Sequence, residues 1–348
     1  MSEQKKIIKV AVRQLIEYVL RSGNLDYTFI GSNRRVQGIW AHKKIQDNQK
    51  DNYKSEVPIS IDIGTSNFIL QIGGRIDGLI IDEDKVTIDE IKSTTKRVEE
   101  IDENYNEMHW AQAKFYAYMY MCKENLEQID VWLTYVEVES ELIKRIKKTY
   151  TYNTLKKYFY NIVDKYILWM EKLERWNNEK IISLNQIKFP YDRYREGQKE
   201  LVIATYKTIE EGKKLFVNAP TGIGKTLATL FPALKAIGRG YGDKLFYLTA
   251  KTVGRTVAED SLDKMRQKGL KLKSITLTAK DKICFCKESK CNVDECIYTI
   301  GYFNKINEAI KDIYEKEDKI NKETVEKYAY KYEICPFEFS LDLCLFMD

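Results

Sequence analysis

Long apolar runs are missing from this 348-residue chain: none approaches the roughly 18 residues that a membrane-spanning helix needs. No secretory leader is expected either, because the first six residues pass straight into an amphipathic pattern with no apolar core and no small-residue cleavage site. A cytoplasmic location is the expectation that follows. Cysteines are few and odd in number, seven, which argues against a disulfide framework in such a chain. Histidines are scarcer still, with only His42 and His109. Net charge is a modest +5, so nothing marks the chain as a whole as strongly basic.

What is present is unevenly placed. Residues 1–180 hold 28 basic and 28 acidic side chains, residues 181–280 hold 19 against 9, and residues 281–348 hold 10 against 15. The surplus of ten positive charges therefore lies in one hundred-residue segment, where it suits a polyanionic partner such as nucleic acid. At 44% hydrophobic and 31% charged residues, the composition is that of a globular chain long enough for about two domains.

That basic segment contains Ala219-Pro220-Thr221-Gly222-Ile223-Gly224-Lys225-Thr226, the make-up of a phosphate-binding loop. An apolar segment at 215–217 reads as a strand before it, and an apolar helix pattern punctuated by Pro232 follows. Gly222 and Gly224 allow backbone N–H groups to face phosphates. Lys225 is placed to reach the β and γ phosphates of ATP, and Thr226 to hold Mg²⁺. Ala219 stands where the usual pattern has glycine, one residue short of a full match.

Apolar spacing at Ile7, Ile8, Ala11, Leu15, Ile16, Val19 and Leu20 predicts one opening helix that stops near Gly23. A short helix over 36–45 carries His42. Residues 57–63, 68–80 and 85–92 alternate like strands, with a turn at 82–84. Asp77 then lies on the strand next to Glu90 and Lys92, in a sheet buried on both sides. Two carboxylates and a lysine converging there are costly without a divalent ion, and hard oxygen ligands suit Mg²⁺ or Mn²⁺. Helix 109–121, strands 131–138 and 142–148, and a long helix over 153–178 follow; the aromatic stripe on that last helix reads as core.

These elements resemble the PD-(D/E)xK nucleases, and in particular their RecB-like branch. Gly38 to His42 looks like its G-x-x-x-H element, Gly74-Arg75-Ile76-Asp77 like its acidic strand, Glu90-Ile91-Lys92 like its E-x-K, and Gln112 to Tyr116 like its Q-x-x-x-Y. The resemblance implies an α/β nuclease domain over residues 1–184. His42, Asp77 and Glu90 would be its metal ligands, Lys92 would act in catalysis, and Gln112 and Tyr116 would hold DNA near the metal. Some members carry an iron-sulfur cluster on flanking cysteines, but only Cys122 lies in this region and no cluster is expected there. His109 reads as a capping or packing residue.

Beyond a short linker at 185–191, Arg195 and Gln198 ahead of the phosphate loop resemble the adenine-reading Q motif of superfamily 2 helicases. A predicted strand at 244–249, followed by a turn and helix, resembles their motif Ia, with Thr249, Lys251 and Thr252 as contacts to single-stranded DNA. Cys284, Cys291, Cys296 and Cys335 form a group able to bind a 4Fe-4S cluster or structural zinc, and spacing alone does not separate the two. Cys286 competes with Cys284, and Cys344 reads as core. Their position resembles the iron-sulfur domain of XPD/DinG-type helicases, an insertion at about 279–340 in a partial RecA-like motor lobe spanning 185–348.

The last apolar helix reads as uncapped at Asp348, with no acidic Walker B box and no second motor lobe. The expectation is a truncated or split product that binds ATP and hydrolyses it poorly, with the missing lobe supplied by another chain. Taken together, the residues and the resemblance point to the N-terminal part of a DNA-repair or recombination helicase joined to a nuclease, acting on single-stranded or forked DNA. The alternative is a single-strand-binding fragment with a structural nuclease site and no motor activity of its own.

Overall fold

Alternating apolar residues along the stretch from Tyr53 to Thr94 build the centre of a six-stranded mixed sheet. In the computed structural model, residues 5–25, 33–47, 52–82, 85–250, 252–286, 291 and 294–348 are described. The chain forms two compact units, Met1–Ser22 with Tyr27–Glu171 and Gly23–Asp26 with Lys172–Asp348. Among the described residues no helix is long and apolar enough to cross a membrane.

The first unit runs β1 (Lys6–Ala11), α1 (Val12–Leu20), α2 (Asn33–Gln46), β2 (Tyr53–Gly64), β3 (Phe68–Asp82), β4 (Lys85–Thr94), α3 (Glu107–Glu124), β5 (Gln128–Glu137), β6 (Ile143–Thr151) and the start of α4 (Tyr152–Gln186). β2 pairs antiparallel along most of β3, while β1 (parallel) and β4 (antiparallel) pair with successive halves of it. β5 runs parallel to β4, and β6 returns antiparallel.

One expectation fails at the start of the chain. Residues 6–11 are a strand rather than the first turns of a helix, because Ile8 and Val10 gain a register on β3, opposite Leu70 and Ile72. The helix begins only at Val12, with Val12, Leu15 and Ile16 buried. The expected turn at 82–84 lies partly outside the described residues; its ends, Asp82 and Lys85, are ladder partners.

Two helices bury β4 from both sides, and residues 87–91 are all buried although Thr87, Asp89 and Glu90 among them are polar. Ile91 packs with Ala41 and Ile45 of α2, whereas Ile88 joins the core built on α3, which includes Phe115, Tyr118 and Met121. Asn106 caps α3, its side chain accepting from Met108 N and His109 N, an arrangement that stabilises a helix by about 1 kcal/mol. The aromatic stripe of α4 is core: Phe159 lies 4.6 Å, ring to ring, from both Phe115 and Tyr118.

The second unit holds the end of α4, then α5 (Gln198–Glu210), α6 (Lys225–Gly238), α7 (Thr252–Arg266), β7 (Ser274–Ile275), α8 (Lys280–Ile283), α9 (Tyr302–Lys316), β8 (Lys319–Ile320), α10 (Lys322–Tyr332) and α11 (Pro336–Cys344). Its core gathers Leu184 and Ile187 with Leu201, Leu227, Leu234, Met265 and Leu272. The strands expected at 215–217 and 244–249 have no ladder partner among the described residues. A strand is defined by such a partner, and without one Phe216 is 93% and Leu248 89% exposed. Nor does the last helix run uncapped to the final residue. α11 stops at Cys344, and the Asp348 carboxylate accepts from Trp176 Nε1, Lys180 Nζ and Lys273 N.

Candidate functional site

Strand pairing brings the expected acidic residues together. Asp77 sits near the middle of β3 and Glu90 on β4, and the β3–β4 register pairs Gly78 with Asp89. Asp77 Oδ2 accepts from Ile91 N at 2.9 Å, which fixes the carboxylate and turns Oδ1 toward His42 Nδ1, 3.7 Å away. His42 Nε2 lies 3.1 Å from Ile91 O. A carbonyl there requires Nε2 to donate, so in the neutral ring the Nδ1 lone pair faces the carboxylates. Glu56 on β2 completes the group: its Oε1 is 4.0 Å from His42 Nδ1, and one donor atom from each of His42, Glu56 and Asp77 falls within 4.8 Å of the other two.

Glu90 is fully buried. Lys92 Nζ donates to its Oε1 and also to Gln112 Oε1 at 3.3 Å, while Oε2 has no hydrogen-bond partner among the described residues. Burial raises the Glu90 carboxyl to about 8 against the opposing pull of Lys92. Burial likewise raises Asp77, opposed by the charges of Lys92 and His42. A carboxylate oxygen left bare inside the protein is the kind of defect that an ion repairs; the donor atoms close enough to share one divalent cation are those of His42, Glu56 and Asp77, a group that does not include Glu90 among the described residues.

The helix α3 side of the site is tightly set. Tyr116 is buried and hydrogen-bonded to Gln112 and to the Arg75 backbone. A Cβ on Gly74 would lie 2.5 Å from its hydroxyl, which explains the glycine. His109 does not cap α3; its Nδ1 meets Tyr135 Oη at 3.0 Å, and burial, then the charge of Lys92, lowers its pKa to about 3, so the ring is neutral. It borders a polar cavity of about 240 Å³ at the end of β4, shared with Ser93, Thr95 and Asn106.

In the second unit, the run 219–226 forms an exposed turn leading into α6. Gly222 and Gly224 have φ of 90° and 83°, and a Cβ on Gly224 would collide with the Gln198 amide. Lys225 Nζ donates to Ala219 O and Pro220 O at 2.9 and 3.0 Å. Thr221 and Ile223 complete the turn, and Thr226 Oγ1 accepts from Tyr247 Oη at 3.2 Å. Gln198 is buried: its Oε1 accepts from Arg195 N and its Nε2 donates to Gly224 O, while Arg195 Nη1 donates to Gly222 O. Both residues therefore brace the loop through its carbonyls.

Residues 32–198 match the model of the PD-(D/E)XK nuclease superfamily. Residues 197–319 match that of the DEAD/DEAH box helicases. The chain thus carries a nuclease-like domain followed by a helicase-like domain in a mixed α/β fold. A stretch of 47 residues is 51% identical to the probable ATP-dependent helicase MJ0942 of Methanocaldococcus jannaschii, covering 14% of this chain and 7% of that protein. A solved structure titled "Crystal structure of SSO0001" aligns with 47% of this chain and 78% of its own, at 17% identity and a TM-score of 0.29.

The remaining expected residues of the helicase-like domain are more scattered. Thr249 lies in the extended stretch before α7, Lys251 falls outside the described residues, and Thr252 is the first residue of α7. None of the late cysteines forms a disulfide, and Cys284, Cys286, Cys291, Cys296 and Cys335 share one neighbourhood. Cys296 senses Cys286 and Cys291, Cys335 senses Cys284, and Lys280 senses Cys291, Cys335 and Cys284. Burial pushes the Cys335 thiol up to about 11. Sequence motifs did not single out Glu56; only the β2–β3 register places it at the site.

Proposed function

We propose that the nuclease-like domain is a metal-dependent DNA nuclease and that the helicase-like domain binds ATP, as part of a helicase-nuclease acting in DNA repair or recombination. The observation that carries this reading is the convergence of His42, Asp77, Glu90 and Lys92 from three elements, with a buried carboxylate oxygen left bare. His42, Asp77 and Glu90 would hold Mg²⁺ or Mn²⁺, which supplies Lewis-acid stabilisation of the phosphate under attack and lowers the pKa of a bound water. Ile91 N keeps Asp77 turned toward the site. Lys92, held between Glu90 and Gln112, keeps a positive charge where negative charge develops on the phosphate. Gln112 and Tyr116 fix the wall along which the DNA strand lies.

On the motor side, the backbone of 219–224 would take the phosphates of ATP and Lys225 would trade its two carbonyls for phosphate oxygens. Thr226 would hold Mg²⁺. Arg195 and Gln198 keep the loop in shape, and Thr249, Lys251 and Thr252 contact single-stranded or forked DNA. Cys284, Cys291, Cys296 and Cys335 carry a 4Fe-4S cluster, the gathering of free thiols around Lys280 being its support. Cleavage of labelled single-stranded DNA in Mn²⁺ tests the reading. Wild type cuts, and Lys92→Ala loses about a hundredfold or more in rate, the scale of one electrostatic stabiliser; equal cutting by both sinks the nuclease claim.

A further inference from the structure

The β2–β3 ladder keeps one register from Tyr53↔Ile80 to Gly64↔Ile69 with a single interruption. Ser55 pairs with Gly78 and Val57 with Ile76, but the residues between them, Glu56 and Asp77, are not bonded partners. Register therefore sets two carboxylates directly opposite each other on neighbouring strands, an arrangement that destabilises a sheet. Glu56 also has a φ of 54°, a left-handed conformation that a non-glycine residue holds only at a cost.

Both costs fall at one point, where the side chains turn toward each other rather than apart. His42 Nδ1 stands 4.0 Å from Glu56 Oε1 and 3.7 Å from Asp77 Oδ1. Gln46 Nε2 tethers the pair, donating to Asp77 O at 2.9 Å and to Glu56 Oε1 at 3.4 Å. On the adjoining strand, the buried Glu90 Oε2 has no partner among the described residues. Two carboxylates and an imidazole nitrogen, one donor atom of each within 4.8 Å of the other two, are an arrangement that a cation resolves.

We infer that Glu56 is a direct ligand, with His42 and Asp77, of the divalent cation at this centre, and that the cation is Mn²⁺ in preference to Mg²⁺. This rests on the nuclease reading above and adds to it a ligand and a choice of metal. An imidazole nitrogen favours first-row transition ions, whereas carboxylates hold the site at the hard end of that series, where Mn²⁺ lies. The interrupted ladder at residue 56 is the device that aims the carboxylate inward.

Calorimetric titration of the metal-free full chain with Mn²⁺ or Mg²⁺, without nucleotide or DNA, tests this independently of cleavage. Wild type takes up Mn²⁺ more tightly than Mg²⁺, and Asp77→Asn abolishes uptake. Glu56→Gln weakens Mn²⁺ binding by about tenfold or more, since even partners outside the ligand set cost 10–100-fold. Glu56→Gly weakens it equally while raising the metal-free melting temperature, because glycine suits the left-handed backbone. Unchanged Mn²⁺ affinity in Glu56→Gln, with binding lost in Asp77→Asn, overturns the inference and leaves the nuclease reading standing. Equal affinity for the two ions overturns the metal preference. A wild-type chain that takes up neither ion overturns both readings.

Discussion

Replacing Glu90 by glutamine tests the electrostatics of the centre while nearly preserving its shape. The side chain is fully buried, and burial lifts its pKa from 4.5 to about 8 even with Lys92 beside it. In the unfolded chain the carboxyl ionises near its ordinary value. Between pH 4.5 and about 8 the folded state therefore binds more protons than the unfolded one, and stability falls as pH rises. Below that window both states are protonated and the contribution is fully retained; above it the loss is complete and constant. A gap of about 3.5 units at 1.36 kcal/mol per unit sets an upper limit on the order of 5 kcal/mol, and relaxation around the site lowers it. Glutamine cannot ionise and escapes the penalty. Urea unfolding of the metal-free chain, followed by hydrogen exchange in β4 and run at several pH values, measures it. Glu90→Gln and wild type converge near pH 4.5, and the variant is more stable by several kcal/mol at pH 8. A variant less stable at pH 8, or a difference that ignores pH, refutes the reasoning.

Three further outcomes follow from single contacts. Gly74→Ala puts a methyl 2.5 Å from the Tyr116 hydroxyl and costs about 1–3 kcal/mol of overpacking; thermal unfolding shows the loss, and an unchanged melting temperature contradicts the packing described. Gly224→Ala forces alanine to a φ of 83° against the Gln198 amide. The conformation alone costs about 1–2 kcal/mol, so affinity for a fluorescent ATP analogue falls about tenfold or more while cutting of single-stranded DNA persists; equal affinity contradicts the loop's assignment. Cys335→Ser, purified without oxygen beside wild type, loses iron and visible absorbance; a colourless wild type holding zinc rules out the 4Fe-4S cluster.

The central sheet was legible because alternation and buried runs are local signals: β2, β3 and β4 can be read from residues 53–94 alone. The elements that carry residues 38–42, 74–77, 90–92 and 112–116 were legible for the same reason: α2, β3, β4 and α3 fall where the patterns implied. β1 was not, because the spacing of Ile7, Ile8 and Ala11 serves a helix as well as a strand, and pairing with β3 decides between them. Strands at 215–217 and 244–249 look right in sequence, but strand character depends on a partner that the residues themselves do not encode. The hydrogen bonds of the Gln198 amide to Arg195 N and Gly224 O are seen only in the folded loop. Glu56 was hidden for a related reason, since its meaning depends on standing opposite Asp77.

The central claim is that Asp77 and Glu90 hold a divalent ion inside a folded nuclease centre. Anomalous diffraction from crystals grown with Mn²⁺ addresses it most directly. One strong peak within bonding distance of Asp77 Oδ1 and Glu90 Oε2 is the predicted result. Density that shows Glu90 still unpartnered, with manganese bound elsewhere or not at all, would contradict it.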